Sequence, residues 1–349
     1  MYLPLKKFKE ENIFNKNFFL NMALYIKSVQ LKSGAIPSNC DGSHDPWDHI
    51  ESIIGLNFAK EKKASQLAFL WLVNNQNSDG SWYSKYKDLK VVEKNRPTHF
   101  GPYISVAALH YYKIFKDLKF LEILWPTIEL AINFAINIQS QNGTIPWSVD
   151  KDNVIENDFL LTGCSSILKS IECGIAISKI LNKQSNISAW SNSYILLSNA
   201  IKNPSGKFDK TKDRKHFSMD WYYPIISGCL NDDEIICYIN KIYEDFYVKD
   251  IGVKCVKHEP WVTVAETCEF IISLMIAGRI SEAQKILFDI VNISDEKHIP
   301  FMGWQYKENM FWPDEKPAWT SAALIISADT IFGYTDASNL FTKKQSNLY

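Results

Sequence analysis

The stretch Trp71-Leu72-Val73-Asn74-Asn75-Gln76-Asn77-Ser78-Asp79-Gly80-Ser81-Trp82 carries an apolar run into a Gln, a Gly four residues later and then a Trp. The same Gln-to-Gly spacing recurs in Gln30-Leu-Lys-Ser-Gly34 and Gln139-Ser-Gln-Asn-Gly143, each behind a run with helical apolar spacing. Weaker turns follow at Asn203-Pro-Ser-Gly206 and Lys249-Asp-Ile-Gly252, and a sixth, without glycine, at Lys297-His298-Ile299-Pro300. Turn centres are 45 to 63 residues apart, too far for one helix and suited to a helical pair.

Apolar periodicity predicts leading helices near 15–31, 64–76, 119–140, 184–202, 234–248 and 280–293. Following helices are predicted near 46–61, 98–116, 158–181, 219–230, 260–277 and 317–332. The second set is richer in small and apolar residues, as in GPYISVAALHYY and AWTSAALIISADTIF, which suits helices enclosed on most sides. Strand alternation is scarce. The reading is an all-α chain, an (α/α)6 toroid of six helical hairpins with the second set inside, forming one domain over residues 1–349.

Composition narrows the function. With 38 Lys+Arg against 39 Asp+Glu, the chain has no long-range field for nucleic acid or an anionic bilayer. Hydrophobic residues, 46 % of the total, are enough for a large core. Seven cysteines without CxxC spacing suggest a reduced, cytoplasmic setting. The N-terminus carries Lys and Glu where a signal peptide needs an apolar run, and no transmembrane segment is expected. Neither a cofactor nor a metal is implied by any motif. The unusual feature is aromatic: 11 Trp, 16 Tyr and 20 Phe.

The Trp71–Trp82 segment resembles the QW repeat of squalene and oxidosqualene cyclases, shared more loosely with protein prenyltransferase β-subunits. The segments ending Gly34-Ala35-Ile36-Pro37 and Gly143-Thr144-Ile145-Pro146-Trp147 are weaker copies. The resemblance implies an α/α toroid in which the Gln amide caps an outer helix, the Gly permits the turn and the Trp packs onto the next pair. It does not extend to the catalytic signatures: DxDD and DDxxD are both absent, and the nearest acidic run, Asn231-Asp232-Asp233-Glu234, reads as a solvated loop.

In such a toroid the outer-to-inner turns surround the cavity on one face, and eight of the 11 Trp fall in those turns or the first helical turn after them. In Asp45-Pro46-Trp47-Asp48-His49-Ile-Glu51, Asp45 suits a helix cap and Asp48 a functional carboxylate. Glu266 lies inside an apolar helix and Asp220 among aromatics, where an unpaired carboxylate is costly and its pKa raised. The catalytic candidates are therefore Asp48, His49, Asp220 and Glu266. Substrate-wall candidates are Trp47, His99, Tyr103, Trp221, Tyr222, Trp261, Glu315 and Trp319.

The expected function is acid-assisted chemistry on an isoprenoid or isoprenoid-linked small molecule in an aromatic cavity, with cation–π stabilisation of intermediates. The first alternative is a carbohydrate-active enzyme, a glycosidase, lyase or epimerase, whose Trp platforms stack on sugars beside paired carboxylates. It takes a glycan or glycolipid as its small-molecule partner. The second is a non-catalytic binding scaffold.

Overall fold

The computed structural model describes residues 15–38, 41–211, 213 and 215–345. The first 14 residues, where a signal peptide would begin, and one of the seven cysteines (Cys40) fall outside them. Among the described residues twelve helices alternate between two rings. The outer ring is α1 (Lys16–Val29), α3 (Lys62–Asn75), α5 (Leu118–Ile136), α7 (Ile187–Lys202), α9 (Asp232–Asp245) and α11 (Ile280–Ile290). The inner ring is α2 (Pro46–Phe58), α4 (Ile104–Phe115), α6 (Leu161–Ile180), α8 (Met219–Ile226), α10 (Val264–Ile276) and α12 (Ala318–Phe332). Inner helices contact one another in the order α2, α4, α6, α8, α10, α12 and back to α2, which closes the toroid.

The two rings differ as their sequences require. Helix α9 buries one stripe, Ile235, Ile239 and Ile242, whereas α6 is buried around almost its whole circumference. Asp232, Asp233 and Glu234 open α9 behind Asn231 in a capping box, with the carboxylates at the helix's positive end.

The repeated Gln joins neighbouring repeats. Gln76 Nε2 donates to Gly80 O across its own turn (3.1 Å) and to Thr127 O on α5 (2.9 Å). Gln30 joins Gly34 O and Ala64 O of α3 at 3.1 and 3.0 Å. Gln139 joins Gly143 O and Ser193 O of α7 at 2.9 and 3.2 Å. Each amide therefore bridges two outer helices and does more than cap one. The glycine is needed twice over. Gly80 has φ +92°, and a Cβ there would stand 2.2 Å from Leu130 O on the same neighbouring helix. Trp82 is buried and turns back, its Nε1 donating to Leu72 O at 3.0 Å.

Outer-to-inner connections are long and carry short antiparallel strands, too brief to produce a readable alternation in sequence. Strands β1 (Ser43–His44), β2 (Lys85–Lys87) and β3 (Lys90–Glu93) form one sheet. Strand β4 (Arg96–Pro97) pairs with β5 (Ser148–Val149), and β6 (Tyr247–Val248) with β7 (Gly252–Val253). The last sheet is β8 (Trp261–Thr263), β9 (Gly303–Gln305) and β10 (Met310–Phe311). Pairs β1–β2, β4–β5 and β8–β9 stitch successive repeats around the rim.

The opposite end is closed by the segment after α12. Phe341 reaches the central cavity, Gln345 N donates to Glu172, and Lys169 Nζ lies 3.4 Å from both a Glu172 oxygen and Lys343 O. Among the described residues no helix is long and apolar enough to cross a membrane. The six described cysteines are free thiols.

Gly80→Ala is expected to lower unfolding stability by about 2–4 kcal/mol, from left-handed strain plus the clash with Leu130 O. Gln76→Ala is expected to cost about 1–2 kcal/mol for its two hydrogen bonds. Urea denaturation of both variants measures this, and a Gly80→Ala protein as stable as wild type would refute the close approach.

Candidate active site

Six inner-helix N-termini converge on the rim. Asp45 caps α2, accepting from Asp48 N at 2.8 Å, and Pro46 supplies the first helical position. This orders Asp48 in the first turn of α2, as the starts of α8 and α10 order Asp220 and Glu266. Three residues deeper on the same helices stand Glu51, Tyr223 and Glu269. The spacing puts one tier of side chains above another on each of three helices.

The lower tier lines a small central cavity of about 30 Å³. Its lining includes Trp47, Glu51, Tyr103, Lys169, Tyr223 and Glu269. Tyr103 Oη donates to Glu51 Oε2 at 2.6 Å, and Tyr223 Oη donates to Glu269 Oε1. The Trp47 ring stacks on Tyr103 with centroids 4.2 Å apart and planes within 10°. Ser165, Ser166 and Ser227 add polar groups to a lining that also includes Ile226, Ile272, Ile326 and Phe341.

The carboxyl groups shift one another. Asp48 is pushed well above the carboxylate range by burial, then by Asp45 and Glu51, against the Ser38 hydroxyl. Burial raises Glu51 to about 7 although Tyr103 opposes it. Glu269 is driven well up by burial and then Glu266, against the Tyr223 hydroxyl. Glu266, 9 % exposed, has an Oε2 without a hydrogen-bond partner, and the Cys255 thiol is directed at its carboxylate. The mouth therefore holds protonated carboxyl groups at neutral pH, the condition for a general acid.

The other sequence candidates are spread more widely. His49 belongs to the core: its Nδ1 accepts from Ile36 N at 3.1 Å and its Nε2 donates to Ala68 O at 3.0 Å. With both nitrogens engaged and its pKa lowered to about 3, chiefly by burial, it has no proton to relay to Asp48. Asp220 accepts from Thr162 Oγ1 at 2.6 Å and lines, with Trp221, a separate groove beside α8. Tyr222 is buried beside Glu269 and Glu266, and His99 packs on Trp47. Trp261 donates to Trp312 O at 2.6 Å on the rim. Glu315 lines a groove with Tyr25, Ser38 and Lys316, while Trp319 packs half-buried on the core. Among the described residues no cluster of three or more His, Cys, Asp or Glu is arranged to hold a metal.

The sequence shows the Asp48–Glu51 spacing, but Glu51, Tyr223, Glu269 and Lys169 are not among its site candidates. The signal for the glutamates was present, because Asp48 to Glu51 and Glu266 to Glu269 are both i, i+3 pairs. Nothing local marks Lys169.

Tiered carboxyl groups around a polar, aromatic-edged cavity suit acid–base chemistry on a polar substrate, and comparison with known proteins gives the class, a carbohydrate-active glycosidase. Over 316 residues the chain is 34 % identical to MMP endo-(1,4)-3-O-methyl-alpha-D-mannosidase of Mycolicibacterium hassiacum, covering 90 % of this chain and 86 % of that protein. The chain belongs to that mannosidase's family. No protein-family model matches it. In fold it is similar to a glycosidase solved in complex with glucose (TM-score 0.73, 10 % identity, 94 % of this chain and 100 % of that one). It is also similar to the GH63 mannosylglycerate hydrolase of Thermus thermophilus (TM-score 0.69, 10 % identity, 87 % and 98 %).

These findings correct the terpenoid cyclase and prenyltransferase reading and remove the isoprenoid substrate and the scaffold. The Gln-Gly-Trp motif reports how toroid repeats are joined: its amide meets backbone carbonyls and Trp82 is buried, so neither faces a substrate.

Glu51→Gln tests the lower tier. A carboxyl group raised from 4.5 to about 7 binds extra proton in the folded state between those values. Its burial thus lowers stability progressively as pH rises through that window, and the penalty is complete above it. The variant is expected to be more stable than wild type by about 2–3 kcal/mol at pH 8 and nearly equal to it at pH 4. Urea unfolding at both values decides, and a pH-independent difference would contradict the burial argument.

Proposed function

We propose that this protein is an endo-acting hydrolase of α-(1→4)-linked mannosyl chains, with Asp48 as general acid and Glu266 as general base. The observation that carries the assignment of roles is the pairing of a proton-holding carboxyl group on α2 with a carboxylate whose Oε2 is unpartnered on α10, both in first turns at one rim. The substrate class is supported by the name of the Mycolicibacterium relative.

In this reading Asp48 gives its proton to the glycosidic oxygen as the anomeric C–O bond breaks. Glu266 takes a proton from the attacking water, whose oxygen bonds to the anomeric carbon. Glu51 lies one turn below Asp48, and with Asp45 it keeps the Asp48 proton in place by disfavouring another negative charge. Trp47, stacked on Tyr103, offers a flat apolar face to a sugar ring.

Asp48→Asn and Glu266→Gln are each expected to lower kcat about 10²–10⁴-fold on α-(1→4)-mannooligosaccharides. Circular dichroism should be unchanged. Asp48→Asn should also remove the alkaline limb of the pH–rate profile. Full activity in either variant would reassign the acid or the base, with Asp220 the next carboxylate to test. Product analysis of a labelled oligosaccharide should give internal fragments first; initial release of single mannose units would exclude endo action.

A further inference from the structure

Inner helices α2 and α8 stand opposite each other in the ring, three places apart in its contact order. Asp48 belongs to α2. On the α8 side, at the start of that helix, lies a groove of about 450 Å³, within the ~300–1,000 Å³ usual for a small-molecule site. Its lining includes Leu161, Phe208, Asp209, Asp220, Trp221 and Tyr238.

The chemistry of this lining is uneven in a useful way. Trp221 is half-buried, its Nε1 tied to Lys215 O at 3.3 Å, and its ring meets Tyr238 at 5.4 Å and 59°. The indole is thus fixed by its edge and by a neighbouring ring, which lowers the entropy cost of stacking on a ligand. Asp209 and Asp220 place carboxylate acceptors beside that aromatic surface, the combination that recognises a pyranose through its apolar face and its hydroxyl rim. Asp209 has φ +52°, and its backbone N–H donates to Phe159 O at 2.8 Å, so the loop that carries it is anchored to the segment leading into α6. The groove at the α1–α12 seam, with Tyr25, Ser38, Glu315 and Lys316, has no comparable platform: the Tyr25 hydroxyl is already committed to Lys316 O at 2.5 Å.

We propose that the α8 groove is a distal glycosyl-binding subsite, in which Trp221 stacks on, and Asp209 and Asp220 hydrogen-bond to, sugar units of the same mannosyl chain beyond the scissile bond. The proposal rests on the hydrolase reading above and deepens it: a substrate chain crosses the mouth from the Asp48 side to the α8 side.

The test compares kcat/KM for an α-(1→4)-mannohexaose with that for a short aryl mannobioside, in wild type, Trp221→Ala and Trp221→Phe. The expected result is a fall of about tenfold in the hexaose-to-bioside ratio for Trp221→Ala, with partial retention in Trp221→Phe. An unchanged ratio, including an equal loss on both substrates, would overturn the subsite. Calorimetric titration of the hexaose into Glu266→Gln protein, with and without Trp221→Ala, reads the subsite without turnover. Weaker binding of the hexaose in the double variant supports it even if wild type hydrolyses neither substrate, an outcome that would sink the hydrolase assignment alone. Equal hexaose affinity with and without Trp221 overturns it.

Discussion

One side-chain amide donating to two carbonyls on different helices sets the geometry from which the site follows. A Gln at the end of an outer helix satisfies its own turn and the flank of the next outer helix, while the glycine four residues on brings the turn into van der Waals range of the same flank. Neither group tolerates much displacement. Three such joints in succession fix the angle between repeats in the first half of the chain, and β-pairings at the rim, β8 with β9 among them, continue the work where the Gln is missing. Once that angle is set, six pairs close a ring and all inner-helix N-termini arrive at one face.

That convergence is an electrostatic conflict as well as a scaffold. Helix N-termini favour carboxylates, but burial in the mouth and mutual repulsion favour carboxylic acids. Burial raises Asp45 to about 6 against the pull of two backbone N–H groups, whereas Asp48, one turn along and lacking them, is pushed well above the carboxylate range and retains its proton. Tyr103 and Tyr223 relieve the lower tier only in part. How well the backbone solvates each carboxyl group thus decides which of them can act as an acid.

The fold was legible because its signals are periodic. Apolar spacing and the Gln-to-Gly turn repeat along the chain, so helix boundaries fall near those observed, and α4 starts late only because Pro102 and the preceding loop hold residues 98–103 out of it. The rim was legible in part: Asp48, Glu266, Trp47 and Tyr103 lie at starts of inner helices, where the repeat puts them. The chemistry was not. A turn motif built from backbone contacts carries the signature of toroid construction, and toroids with unrelated reactions share it. His49 illustrates the local limit, since a histidine beside an aspartate reads as a proton relay until the carbonyl and amide partners that engage its ring are seen. Lys169 meets Lys343 O across 174 residues of sequence, beyond any local pattern.

The segment after α12 adds a temporal dimension. Phe341 forms part of the cavity wall, and α12 is the helix that contacts both α1 and α2 to complete the ring. The carboxyl groups of α2 therefore emerge from the ribosome early but acquire their enclosing wall only when α12 and the segment behind it have been made. Until then Trp47, Glu51 and their neighbours are an open, unfinished surface. A growing chain has every residue of α2 in hand and still no chamber until the ring is shut.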